Sequence, residues 1–133
     1  MLTALSRRAP LVAAAGALLA LTGCASIQRP EVARVATAFE DPSGDAEARC
    51  DLLLDGTRAA LEEQESAPCT EALDGLPLQG GAVRSVEVWG GDAQVRLAGD
   101  TLFLTETSSG WRVTAAACTA RADAPYDCQV EGP

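Results

Sequence analysis

The chain contains no histidine and no lysine among its 133 residues. Each absence removes a class of chemistry. With no His there is no ordinary base to activate a serine, so Ser108-Ser109-Gly110 reads as a turn rather than a nucleophile. A zinc site is not expected either: the four cysteines after Cys24 are separated by 18, 48 and 9 residues, not grouped in C-x2-C pairs. The acidic run Glu62-Glu63-Gln64-Glu65 lacks the Asp/Asn spacing of a calcium loop and reads as a solvated helix face. All 10 positive charges are Arg, which reflects base composition rather than mechanism, and the formal net charge is −9. So acidic a chain does not bind nucleic acid by neutralising phosphates. No apolar run reaches the roughly 20 residues a membrane-spanning helix needs.

The first 24 residues have the layout of an export signal. Arg7 and Arg8 are the only charges before Cys24, and Ala9–Leu21 is an almost unbroken run of Leu, Val and Ala. That run has the length of a signal-peptide apolar region. Arg7-Arg8 matches only part of the twin-arginine motif, so general secretory export is the default expectation. The segment closes on Leu21-Thr22-Gly23-Cys24, which resembles the lipobox of bacterial lipoproteins. The resemblance implies a diacylglyceryl thioether on Cys24, cleavage before it, and later acylation of the new amino terminus by a chain such as palmitate. One acyl chain holds a protein to a bilayer marginally and two hold it stably. The alternative is ordinary secretion with Cys24 left as an odd thiol.

Removing residues 1–23 leaves 110 residues and takes the formal charge to −11, since both lost charges are Arg. That length suits one small domain. The expected division is a leader over 1–23, a lipidated tether over 24–29 and a folded domain over 30–133. Anionic headgroups would repel such a domain, so the lipid must do the anchoring. The remaining Cys50, Cys69, Cys118 and Cys128 are even in number, as exported small domains with disulfides have them. Three pairings are open. Cys50–Cys69 with Cys118–Cys128 is favoured because each closes a short loop within one region, contributing about 3 kcal/mol in the loop-entropy picture.

Hydrophobic periodicity places helices first. Pro30 suits the first position of a helix whose Val32, Val35, Ala36 and Phe39 form one stripe. A second helix is expected from Asp45 to Leu54, a third capped by Thr57 and running to Ser66, and one more turn over Thr70–Leu73. The period then changes to two. Strands are expected over 82–89, 93–98, 101–107 and 111–119, with a short terminal strand over 126–131. Helices followed by a meander indicate an α+β domain with helices on one face of a sheet.

The layout resembles the cone-shaped NTF2-like superfamily, as found in small lipoproteins of high-GC actinobacteria. Phe39, Cys50-Asp51-Leu52-Leu53, Pro68-Cys69-Thr70-Glu71-Ala72-Leu73 and Arg84-Ser85-Val86-Glu87-Val88-Trp89 carry the likeness. So do Gly110-Trp111-Arg112-Val113-Thr114 and Pro125-Tyr126-Asp127-Cys128. The resemblance implies a curved antiparallel sheet of about four strands, with Trp111 packing on the helices. It does not by itself carry a function.

Enzymes of that superfamily use an interior carboxylate or His. Here Glu87 shares a strand face with Val83 and Trp89, and Glu106 shares one with Leu102 and Leu104. Either acts as a base only if it is buried; otherwise both are rim carboxylates. Glu87, Trp89 and Trp111 are the candidate cavity residues, although two Trp in a small domain usually serve the core. Arg84, Arg96 and Arg112 are expected to pair with Glu87 and Glu106 across strands. The reading favoured by the residues is a non-enzymatic module without cofactor. It is held by Cys24 on the extracytoplasmic face of the cell membrane and meets a protein partner or a small apolar ligand. The alternatives are a lyase or isomerase acting through Glu87, and an accessory subunit of a membrane complex.

Overall fold

The computed structural model describes residues 23–123 and 125–133; the expected leader, 1–23, lies outside them except for Gly23. The chain forms α1 (Gly23–Glu40), α2 (Ala46–Cys50), α3 (Asp55–Glu65), α4 (Cys69–Ala72) and a 3-10 turn (Leu73–Gly75). It continues into β1 (Val83–Trp89), β2 (Asp92–Leu97), β3 (Thr101–Thr107), β4 (Gly110–Thr119) and β5 (Asp127–Glu131). The strands make one open antiparallel meander in the order β1-β2-β3-β4-β5. The fold is therefore α+β, with five strands rather than about four. The fifth is the short terminal strand expected over 126–131, which pairs with the second half of β4 through Ala116↔Val130 and Cys118↔Cys128.

The inner face of the sheet carries the alternating residues Ala93, Val95, Leu97, Leu102, Leu104, Trp111 and Val113, all buried. They pack with Val32, Val35, Ala36 and Phe39 of α1, with Leu61 of α3, with Leu73 of the 3-10 turn and with Leu53 between α2 and α3. Each such side chain contributes about 1.5–3 kcal/mol by leaving water. Both disulfides join the cysteines of the favoured pairing. Cys50–Cys69 ties the end of α2 to the start of α4. Cys118–Cys128 staples two directly opposed residues of β4 and β5.

Three boundaries differ from the periodic reading. First, α1 begins at Gly23, so Pro30 lies inside it and residues 24–29 are helical rather than a loose tether. Proline withholds its own N–H and its ring crowds the carbonyl four residues back, and the turn before it is held from outside by Gln28, whose side chain donates to Glu106 at 3.3 Å. Second, α2 stops at Cys50, because Leu52–Leu54 serves the sheet instead. Val113 N–H donates to Leu52 O at 2.8 Å and Leu54 N–H donates to Val113 O at 2.9 Å. This short parallel bridge covers the edge of β4 that β5 does not reach, and an uncovered edge invites pairing with other chains. Third, α3 starts at Asp55. Thr57 is inside it, fully buried, and its hydroxyl donates to Thr114 O at 3.2 Å instead of capping the helix.

One buried polar cluster was not legible in the pattern. Asp100, at the β2–β3 turn, accepts the N–H groups of Thr101 at 2.7 Å, Ala117 at 2.7 Å and Cys118 at 3.0 Å. It thereby replaces a strand partner where β4 is irregular and Ala117 adopts φ +53°. Glu40, at the end of α1 and only 2% exposed, packs against it. Burial, and then the neighbouring Asp100 carboxylate, push the Glu40 carboxyl up to about 9, against the opposing pull of the Gly80 N–H and Arg49. Gly80 donates to Glu40 Oε2 at 3.2 Å. With φ +50° and the Glu40 Cβ 3.1 Å from where its own Cβ would be, position 80 needs glycine.

Unfolded, Glu40 ionises near 4.5; folded, it holds its proton to about 9. Across that window the folded state binds a proton that the unfolded state lacks, so its contribution to stability falls as pH rises. Glu40→Gln keeps an acceptor for Gly80 and a donor toward Asp100 without a titrating proton. Thermal denaturation should show the variant near wild type at pH 5 and more stable at pH 8, by up to about 4 kcal/mol. Parallel pH profiles for the two proteins would contradict this.

Candidate functional site

The outer face of the sheet, opposite the main core, is largely polar apart from the exposed Trp89 at the end of β1 and one apolar spot on β3. On β3 the run Leu102-Phe103-Leu104 is apolar on both faces. Leu102 and Leu104 enter the core, whereas Phe103 points outward on the same face as its cross-strand neighbour Gln94. The loop between β4 and β5 folds back over this spot. Its Tyr126 ring meets Phe103 edge-on, with centroids 5.2 Å apart and planes at 69°. Such a contact is worth about 0.5–1.5 kcal/mol beyond burial. The Tyr126 hydroxyl accepts from Gln94 Nε2 at 3.1 Å and from Arg96 Nη2 at 3.2 Å, so strand β2 positions the ring.

Beside these two rings lies a pocket of about 540 Å³. Its floor is Phe103, Thr114 and Ala115; one wall is Tyr126 with Cys128. The facing wall is Leu54, Gly56 and Thr57 from the start of α3, together with the tail Gly132-Pro133. The walls come together because the tail continues from β5 across α3, with Gly132 N–H donating to Thr114 O at 3.2 Å. A Cβ at position 132 would lie 2.8 Å from the Thr57 hydroxyl, so glycine permits that approach.

The chemistry of this pocket is simple. The hydroxyls of Thr57, Thr114 and Tyr126 are engaged in hydrogen bonds within the protein. The one carboxylate on its lining is Glu131, an exposed residue near the rim. A volume in the range of small-molecule sites, apolar walls and few polar groups suit a small apolar ligand.

The residues singled out in the sequence are not brought together. Glu87 is exposed on the outer face of β1, so it is not an interior base, and the expected cavity of Glu87, Trp89 and Trp111 does not form. Trp89 is 49% exposed, while Trp111 is buried on the inner face. The period of two is the reason: Val86 and Val88 take the core face of β1, which turns Glu87 and Trp89 outward. Glu106 is exposed at the end of β3 and accepts from Gln28. The expected cross-strand ion pairs of Arg84, Arg96 and Arg112 are not among those seen. Arg96 turns to Tyr126 and Arg112 to the carbonyl of Trp111. Among the described residues, the ion pairs join Arg34 to Glu31 and Arg58 to Glu47, Asp51 and Glu62. No group of His, Cys, Asp and Glu among them could hold a metal. Glu40 and Asp100 are the buried carboxyls, and both are engaged in the polar cluster at the end of α1.

The pocket residues missed in the sequence are Leu54, Thr57, Phe103, Thr114 and Tyr126. A signal existed for one of them: an outward Phe within a strand implies that something covers the outer face there. Compared with known families, curated proteins and solved structures, the chain matches none.

Thr114→Trp would obstruct the floor of the pocket from the outer face without touching the inner core. The neutral apolar dye N-phenyl-1-naphthylamine should bind wild type saturably, and this variant at least about tenfold more weakly, with circular dichroism unchanged. Dye binding insensitive to the substitution would count against the pocket.

Proposed function

We propose that this protein is a lipid-anchored lipoprotein of the bacterial cell envelope whose folded domain binds a small apolar ligand and performs no catalysis. The observation that carries the binding reading is the outer-face pocket, lined by Leu54, Phe103, Ala115 and Tyr126. Its hydroxyls already have partners, so ligand affinity would come from apolar burial, with the rim Glu131 disfavouring anions. The absence of any base or nucleophile on the lining other than Glu131 supports a binding role over a lyase or isomerase.

The anchoring reading rests on Arg7-Arg8, the apolar run and Leu21-Thr22-Gly23-Cys24. It gains support from the cysteine chemistry. The other four cysteines are paired with each other, which leaves Cys24 as the odd one. Two disulfides in a domain this small fit an oxidising compartment. No helix of the described residues is long and apolar enough to cross a membrane. Lipid on Cys24 would then place the domain on the extracytoplasmic face of the cell membrane, its acidic surface repelled by anionic headgroups. The layout of helices before a meander, with Trp111 in the shared core, also supports an NTF2-like reading of the fold.

Expression of the full precursor in a host that processes lipoproteins tests the anchor. The mature protein should carry a diacylglyceryl group on Cys24 by mass spectrometry and enter the detergent phase of a Triton X-114 partition. Cys24→Ala should remain uncleaved and unlipidated. A Cys24→Ala protein with normal cleavage and membrane retention would overturn the reading.

A further inference from the structure

We infer that the end of the domain bearing Ile27 and Trp89 is a membrane-docking surface, on which the bilayer that receives the Cys24 lipid is the partner. The inference rests on the lipoprotein reading and adds an orientation to it. It begins from the helix that replaces the expected tether. Because α1 is continuous from Gly23, Cys24 lies in its first turn. Cys24 precedes Gln28 by four residues, about 6 Å along the axis at 1.5 Å per residue. Gln28 is itself fastened to the sheet through Glu106. The lipid is therefore attached about one helical turn from a residue tied to the sheet, which turns the end of the domain beside it toward the membrane.

The sheet topology says what else is at that end. Glu106 N–H donates to Gly91 O at 2.8 Å, which puts the β1–β2 turn beside the start of α1. Trp89 is the last residue of β1, paired with Asp92 across that turn. Three large apolar residues are exposed among the described ones: Ile27 at 77%, Trp89 at 49% and Val83 at 43%. Ile27 and Trp89 share the Cys24 end; Val83 is at the opposite end of β1. Trp is favoured at the level of lipid headgroups, where its ring meets apolar chains and its N–H meets water. The exposed charges at the same end, Arg29, Asp92 and Glu106, are of both signs with the acids in excess. Contact must then come from apolar insertion rather than attraction to anionic lipid, and neutral phosphatidylcholine is the partner of choice.

The two Trp report differently, since Trp111 is buried on the inner face. The full precursor is expressed, and the mature protein is purified from membranes and reconstituted into phosphatidylcholine vesicles with brominated acyl chains. Mass spectrometry records its lipid. Wild type should lose about half of its Trp fluorescence relative to unbrominated vesicles, and iodide should quench it less than in detergent-free solution of the unlipidated protein. Trp89→Phe, a conservative change at an exposed position, should show little bromine quenching. Lipidated wild type with no bromine quenching would overturn the docking surface and leave the anchor standing. Lipidated Trp89→Phe quenched as strongly as wild type would also overturn it. A mature protein without lipid would overturn both readings.

Discussion

The Asp100 carboxylate is the constraint on which the arrangement of the sheet depends. It takes three backbone N–H groups that no strand partner reaches, two of them from the bend of β4 at Ala117 and Cys118. That bend carries β4 away from β3 and brings Cys118 opposite Cys128 on β5. The disulfide then holds β5, and β5 delivers the tail Gly132-Pro133 across α3 to close one wall of the outer pocket. A charged carboxylate accepting this many N–H bonds contributes more than a neutral group would. Glu40 packs the end of α1 against the same point, its carboxyl pushed up to about 9 by burial and by Asp100. Core, staple and pocket thus share one polar hub.

The general architecture could be read from periodicity because the physics is local. Alternation of apolar residues on β2 and β3 has one solution, with Ala93, Val95, Leu97, Leu102 and Leu104 inside. Helix stripes and short cysteine loops are similarly local, and the strands lie within a residue of the expected bounds. What periodicity could not give was tertiary. Leu52–Leu54 has a helical pattern but lends its backbone to Val113, because an exposed strand edge is more costly than a lost helical turn. Thr57 looks like a cap in sequence and is a buried bond to Thr114 in space. Asp100 in a Gly-Asp turn looks like a surface residue; only the fold shows what it accepts.

The candidate site was less legible still. Glu87 attracted attention as a carboxylate near a Trp, yet the same alternation that identifies the strand places it outside with Trp89. The pocket is assembled from α3, β3, β4, the β4–β5 loop, β5 and the tail, six segments with no shared motif. Its polar atoms are inward-satisfied, so no unusual residue marks it. The pocket lies apart from the buried hub, between β3 and β4, the start of α3 and the tail. In the proposed reading the lipid and the pocket would divide the work: lipid on Cys24 would concentrate the domain at a membrane, and the pocket would take up an apolar molecule there.

Extraction of the protein purified from the membranes of an expressing cell tests that division most directly. Wild type and Thr114→Trp are purified in parallel, and organic extracts of each folded protein are compared by mass spectrometry. An apolar molecule in near-stoichiometric amount with wild type and strongly depleted with Thr114→Trp is the expected result. Equal amounts from both proteins, or no enriched molecule from wild type, would contradict a binding role for the pocket.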